Sequence, residues 1–204
     1  MRDVLPTRSA AIELADERKL MRQGYGFLDE KRMLLATEIL RQLREYQVRS
    51  EQLIAETKSA ADALAAAVER HGIDQLQVYP TPASPSVPAN DRTLFLGLAM
   101  FAVRQPARPD AADPPAIDPS PEAKACRAAF ERLLWLAADI GLRAGNLARL
   151  SREFRRTERR AKALEKVLLP EVEDAMKRVD EQLDTMDREE VIRTRWSTRM
   201  RMAE

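Results

Sequence analysis

Chemistry needs neighbours, and the residues of this chain best able to perform it stand alone. His71 is the one histidine and Cys126 the one cysteine. A His/Cys metal site or a Cys–His nucleophile pair needs at least two such groups, so neither is expected, and no cofactor is implied. Gly24 and Gly26 lack the following Lys-Ser/Thr that a phosphate-cradling loop requires. Acidic side chains abound, but on solvated helical faces they read as surface charge. No residue set supports catalysis.

Arginine carries the strongest remaining signal. Arg155, Arg156, Arg159 and Arg160 cluster within two helical turns. Two readings stand for them. They form a solvated face answered by Glu153, Glu158 and Glu165 at helical spacing, or they meet acidic loops of another protein through directional guanidinium bonds. The cluster has no interleaved aromatics, which argues against nucleic acid. A second group, Arg193, Arg195, Arg199 and Arg201, has Trp196, Met200 and Met202 among it and no acid. It is either a frayed tail or a tip seated in a collar, where Trp196 suits a partly buried contact.

These groups must be positioned by long helices. Ten of the twelve prolines lie from Pro80 to Pro121, leaving only Pro6 and Pro170 outside. The chain therefore divides into a helical arm (1–71), a Pro-rich centre (72–121) and a second helical arm (122–204). In the first arm Leu20, Phe27 and Leu34 repeat at seven, as do Leu28 and Leu35, and Ile39, Leu43 and Tyr46 follow. The arm is expected to end at His71-Gly72, with Gly as the left-handed cap. In the second, Val172, Met176, Val179, Leu183 and Met186 alternate four and three, the spacing of a coiled-coil seam. Helices this long with narrow apolar stripes need a partner. The nearest is the other arm, giving an all-α-dominated fold, a long antiparallel two-helix coiled coil. The stretch containing Phe130, Leu133, Leu134, Trp135, Leu136, Ile140 and Leu142 is apolar on more than one face and has area left for the centre or a second protein.

The centre holds one apolar run, Thr93 to Val103. It reads as one strand with Val78 and Tyr79 near another, and the proline density favours short irregular pieces. Pro170 lies inside the second arm and should kink it. Gly24 and Gly26 mark either a bent helix or a close approach of two backbones.

Composition agrees with long solvated helices. Charged residues make up 33%, aromatics 5%, and there are six glycines. A net charge of +1 predicts no polyanion partner. One cysteine fits a reducing compartment. The charged start predicts no signal peptide, and the longest apolar run is short of the ~20 residues of a membrane helix.

Two motifs at opposite ends of the chain resemble those of the D subunit of the V/A-type rotary ATPases and ATP synthases, the central rotor shaft. The first is Pro6-Thr7-Arg8, followed by Gly24, Phe27 (Leu in most relatives), Lys31 and Arg32. The second is Arg155-Arg156-Thr157, Arg159-Arg160, Ala163-Leu164-Glu165 and Pro170. The resemblance implies a coiled-coil shaft with a small β-hairpin region at the turn end. It implies a non-catalytic subunit, in one copy, of a proton- or sodium-translocating complex, cytoplasmic and peripheral to the membrane. Its partners would be three A and three B subunits around the tip, the F subunit on the coil, and the C subunit (also called d) at the knob. The tip contacts would then be Pro6, Thr7, Arg8, Arg188, Arg193, Arg195, Trp196 and Arg199. The Arg155–Arg160 cluster would sit at the ring's exit. The F subunit would meet the coil around Leu43, Tyr46, Trp135 and Leu142, and Gly24 and Pro170 would govern packing and kink.

Setting His71 opposite Glu122 makes facing residue numbers sum to about 193. Gly24 then stands level with Leu169 and Pro170, and Pro6 with Asp187. The competing reading is a coiled-coil adaptor that docks partners and transmits no torque.

Overall fold

The structure, a computed structural model, describes residues 5–77, 79–80, 89–104 and 118–201. Helix α1 (Arg8–Gln77) is followed by strands β1 (Ala89–Phe95) and β2 (Leu98–Arg104). Helix α2 (Pro121–Ala163) then passes through a π-turn, Leu164–Leu168, into α3 (Leu169–Arg201). The fold is two long helical arms with a small antiparallel hairpin between them in sequence. It divides into two compact units, one holding the chain up to Leu34 and from Phe154 onward, the other Leu35–Glu153.

In the first unit the arms run antiparallel around a small core. Leu14 packs with Val172, Ala175 and Val179, joined by Ala11, Met21, Met176 and Leu183. Thr7 starts α1: its Oγ1 accepts the Ala10 N–H at 3.1 Å, an N-cap. Arg8 reaches Asp187 at 3.6 Å and Arg22 reaches Glu173 at 2.8 Å. Asp187 thus stands two residues from its expected partner, Pro6.

Two expectations need correction here. Of the two leucine rows of the first arm, the row of Leu28 and Leu35 turns inward, extended by Leu14 and Met21 at the same heptad interval. Leu20, Phe27 and Leu34 are 70%, 67% and 46% exposed. In the second arm Ala175 takes a core place and Met186 is 54% exposed. Both rows have the right period, and a two-helix pair has room to bury one of them.

Gly24 also differs from expectation. A Cβ there would meet Leu164 Cδ1 at 3.9 Å, with neither Leu169 nor Pro170 within reach. Part of the offset lies in the π-turn. Pro170 has no N–H, and its ring disfavours a regular turn before it. The chain widens instead, and Leu169 N–H bonds back five residues to Leu164 O. A π-turn holds one residue more than an α-turn, which supplies one of the five positions between Leu169 and Leu164. The helical path continues through Pro170 as expected.

The second unit is packed mainly with small residues. Leu35, Ala60, Ala67, Ala129 and Leu150 are each at most 2% exposed. Alanines bury little apolar area, so ion pairs supplement them. Arg143 Nη1 pairs with Glu45, Arg49 meets Asp139 at 3.4 Å, and Arg132 meets Glu56 at 3.4 Å. The backbone at Gly72 leaves helical geometry with φ 76°, a conformation suited to glycine. A short helical piece then runs on to Gln77.

The hairpin is more regular than the proline content suggests. The apolar run folds back on itself, with Phe95 facing Leu98 and Ala89 facing Arg104. Leu96 (φ 49°) and Gly97 (φ 83°) form the two-residue turn. Both positions need positive φ, as in hairpin turns of the primed type. Tyr79 lies in a bend, its ring in a T-shaped arrangement with His71, centroids 6.1 Å apart. Val78 and the Pro-rich flanks 81–88 and 105–117 lie outside the described residues.

Candidate functional site

The lone His71 is a structural group. Its side chain is buried, and Nε2 lies 2.5 Å from Ser120 Oγ. Its Nδ1 lies 3.5 Å from Asp118 Oδ2. A Ser–His–Asp line of this kind resembles a hydrolytic triad. However, Ser120 is only 7% exposed, and its Oγ accepts the Ala123 N–H at 3.1 Å. That hydroxyl caps α2, whose first residue is Pro121, the favoured proline position. The trio fastens the end of one helix to the start of the next. Sequence reading missed it, although Ser120-Pro121 carried the cap signal. Burial raises the pKa of Cys126, which disfavours the reactive thiolate.

The second unit holds a further charged chain. Glu38 takes two bonds from Arg41, at 2.6 and 2.8 Å, and one from Gln42 at 2.9 Å. Arg41 continues to Glu45 at 2.7 Å. Arg143 joins Glu45 to Asp139, the latter at 2.9 Å. The hydrogen bond from Arg41 holds the Glu38 carboxyl below the usual carboxylate range. Burial works against the charged Arg143, but Asp139 and Glu45 prevail and its pKa stands above the ordinary value. Gln42, 7% exposed, continues the heptad row of Leu28 and Leu35, and its Oε1 is buried without a hydrogen bond. A polar group on such a row fixes register at some cost in stability.

The arginine cluster faces outward. Arg155, Arg156, Arg159 and Arg160 are all exposed, while Thr157 between them is 2% exposed. Glu158, one of their expected partners, bonds Lys162 at 2.8 Å, which lowers its pKa.

At the other end every residue from Asp184 to Met200 is exposed. Helix α1 begins at Arg8, beside Asp187, so among the described residues no helix runs alongside the remainder of α3. Arg188, Arg193, Arg195 and Arg199 are all exposed, and Trp196 and Met200 are 68% and 65% exposed. Pro6 is half-buried, and Thr7 serves as a cap. The side chain of Arg201, with Met202, lies outside the described residues. In the second unit Leu43 is 40% exposed, while Tyr46, Trp135 and Leu142 are half-buried. Among the described residues, no helix is long and apolar enough to cross a membrane.

The class is a long-helix protein: two helical arms with a small hairpin between them in sequence and an exposed basic-aromatic end. The sequence profile described as the D subunit of ATP synthase matches residues 10–199, and the chain belongs to that family. It is 30% identical to a V-type ATP synthase D subunit of Anaeromyxobacter dehalogenans strain 2CP-C, over 93% of this chain and 92% of that one. It is 25% identical to the V-type ATP synthase D subunit of Thermotoga neapolitana, over 93% and 94%. It is 27% identical to the A-type ATP synthase D subunit of Pyrococcus furiosus, over 93% and 91%.

Proposed function

We propose that this chain is the central-stalk shaft of a V/A-type rotary ATPase or ATP synthase, transmitting torque and performing no catalysis itself. The observation that carries the reading, beside family membership, is the first unit's uncovered surface. Leu20, Phe27 and Trp196 are each at least 67% exposed, the first two on a helical pair too thin to bury them and Trp196 on the end of α3, unpaired among the described residues. An isolated helix such as the end of α3 is marginal in water and calls for an enclosure. A ring of three A and three B subunits supplies one, with Arg8, Arg188, Arg193, Arg195 and Arg199 facing its inner wall. The Arg155–Arg160 cluster then stands at the ring's exit. The F subunit clasps the coil near Leu43, Tyr46, Trp135 and Leu142. The C subunit (d) meets the hairpin end, on the cytoplasmic side of the membrane.

Torque follows from differential contact. One asymmetric shaft cannot touch three equivalent sites alike, so it biases each toward a different conformation. Turning the shaft permutes those biases, and linkage makes the coupling reciprocal. Deleting Val191–Glu204 is the test: coupling of ATP turnover to ion movement should fall while the complex still assembles. Full coupling in the truncated complex would refute the mechanism.

A further inference from the structure

A two-stranded hairpin is at best marginal alone in water, and one side chain ties this one to α2. Asn146, 3% exposed, lies on α2 beside strand β2. Its Oδ1 accepts the Phe101 N–H at 3.0 Å, and its Nδ2 donates to the Phe101 carbonyl at 2.7 Å. Both peptide groups of one strand residue are thus met by one amide, as a neighbouring strand would meet them.

The register explains why Phe101 is available. Phe95 and Leu98 flank the two-residue turn and form the bonded pair that closes it. Alternation from there leaves Phe101 and its partner Arg92 as a pair whose N–H and C=O point outward. On β2 the Asn146 amide closes that outer edge. On β1 the corresponding groups of Asn90, Arg92 and Leu94 face away from the ladder, along a strand exposed from Ala89 to Leu94.

Arg149 fixes which way the amide points. Its Nη2 donates to Asn146 Oδ1 at 2.7 Å, and its guanidinium lies 4.7 Å from the Phe101 ring centroid. Flipping the amide would set two donors against each other at both Arg149 and Phe101.

We propose that Asn146 is the positioning residue of the hairpin. Its amide stands in for a third strand, and it sets where the β1 edge, unpaired among the described residues, and the exposed Leu94 and Leu96 meet the C subunit. The proposal rests on the reading above that this end of the chain meets that protein.

Hydrogen–deuterium exchange of residues 89–104 in the full chain tests the clamp. Asn146→Leu removes both bonds, and hairpin exchange should rise about tenfold or more, with helical circular dichroism unchanged. Asn146→Asp keeps an acceptor for the Phe101 N–H but loses the donor for its carbonyl. Its protection should also fall relative to the unsubstituted chain at the same pH, and that difference should narrow on acidification as the carboxyl gains a proton to donate. Unchanged exchange in both variants overturns the proposal. The positioning role is read from binding to the purified C subunit, where both variants should dissociate faster. A freed hairpin with an unchanged dissociation rate overturns that role and leaves the shaft reading intact. Failure of the unsubstituted chain to bind the C subunit at all removes the contact itself, whatever the exchange shows.

Discussion

The imidazole of His71 meets the hydroxyl of Ser120 at 2.5 Å, across 49 residues of sequence. The residue before the Gly72 break is thereby tied to the residue that caps α2. Ser120→Ala removes the cap and leaves a buried ring nitrogen without its partner. The second unit should lose roughly 2 kcal/mol of stability, read from urea unfolding.

Glu38 gives the protein a pH signature. Its folded pKa is depressed, chiefly by the Arg41 hydrogen bond, so its contribution is present above the unfolded glutamate pKa of about 4.3. That contribution is lost as pH falls through the folded value. Glu38→Gln should lower stability at pH 7 by no more than about 1 kcal/mol, because Arg41 is 56% exposed. The difference from the unsubstituted chain, read from thermal melts, should close on acidification below pH ~4. A gap that stays constant with pH would show that Glu38 acts by packing.

Gln42 interrupts an apolar row. Gln42→Leu should leave stability unchanged or raise it by about 1 kcal/mol, because an unsatisfied buried oxygen is removed. The helix register in the second unit should become less well specified. Disulfide trapping of cysteines placed at positions 45 and 143, and at positions displaced by one turn, reads the register directly. Cross-linking confined to the native pair in the leucine variant would show that Gln42 does not set it.

The outward row of Leu20 and Phe27 separates stability from assembly. Leu20→Ser with Phe27→Ser should change the stability of the isolated chain by only about 0.5 kcal/mol, because both side chains are already in water. Affinity for the ring of A and B subunits should fall about tenfold or more. Equal losses in both measurements would place these residues in a core.

Much of the architecture is legible in residue periodicity, and particular residues show where legibility stops. Val172, Val179 and Leu183 announce their seam because the positions around them are mostly charged. The first arm is ambiguous, since Phe27 and Leu28 each belong to a heptad row and only the geometry of a two-helix pair selects one. The hairpin turn is concealed because Leu96, and not Asn or Asp, occupies its first positive-φ position. Asn146 reads in sequence as a polar residue on a helix, and its partner is a backbone group 45 residues away. The arginine clusters are visible from spacing alone, since exposed charge needs no tertiary context to be recognised.

The central claim is tested most directly by native mass spectrometry of this chain mixed with the A and B subunits of the same organism. The account predicts one copy bound per three A and three B subunits, with altered ATP turnover. A chain that runs as a homodimer and leaves the hexamer unbound would contradict it, and would move the function to a coiled-coil adaptor.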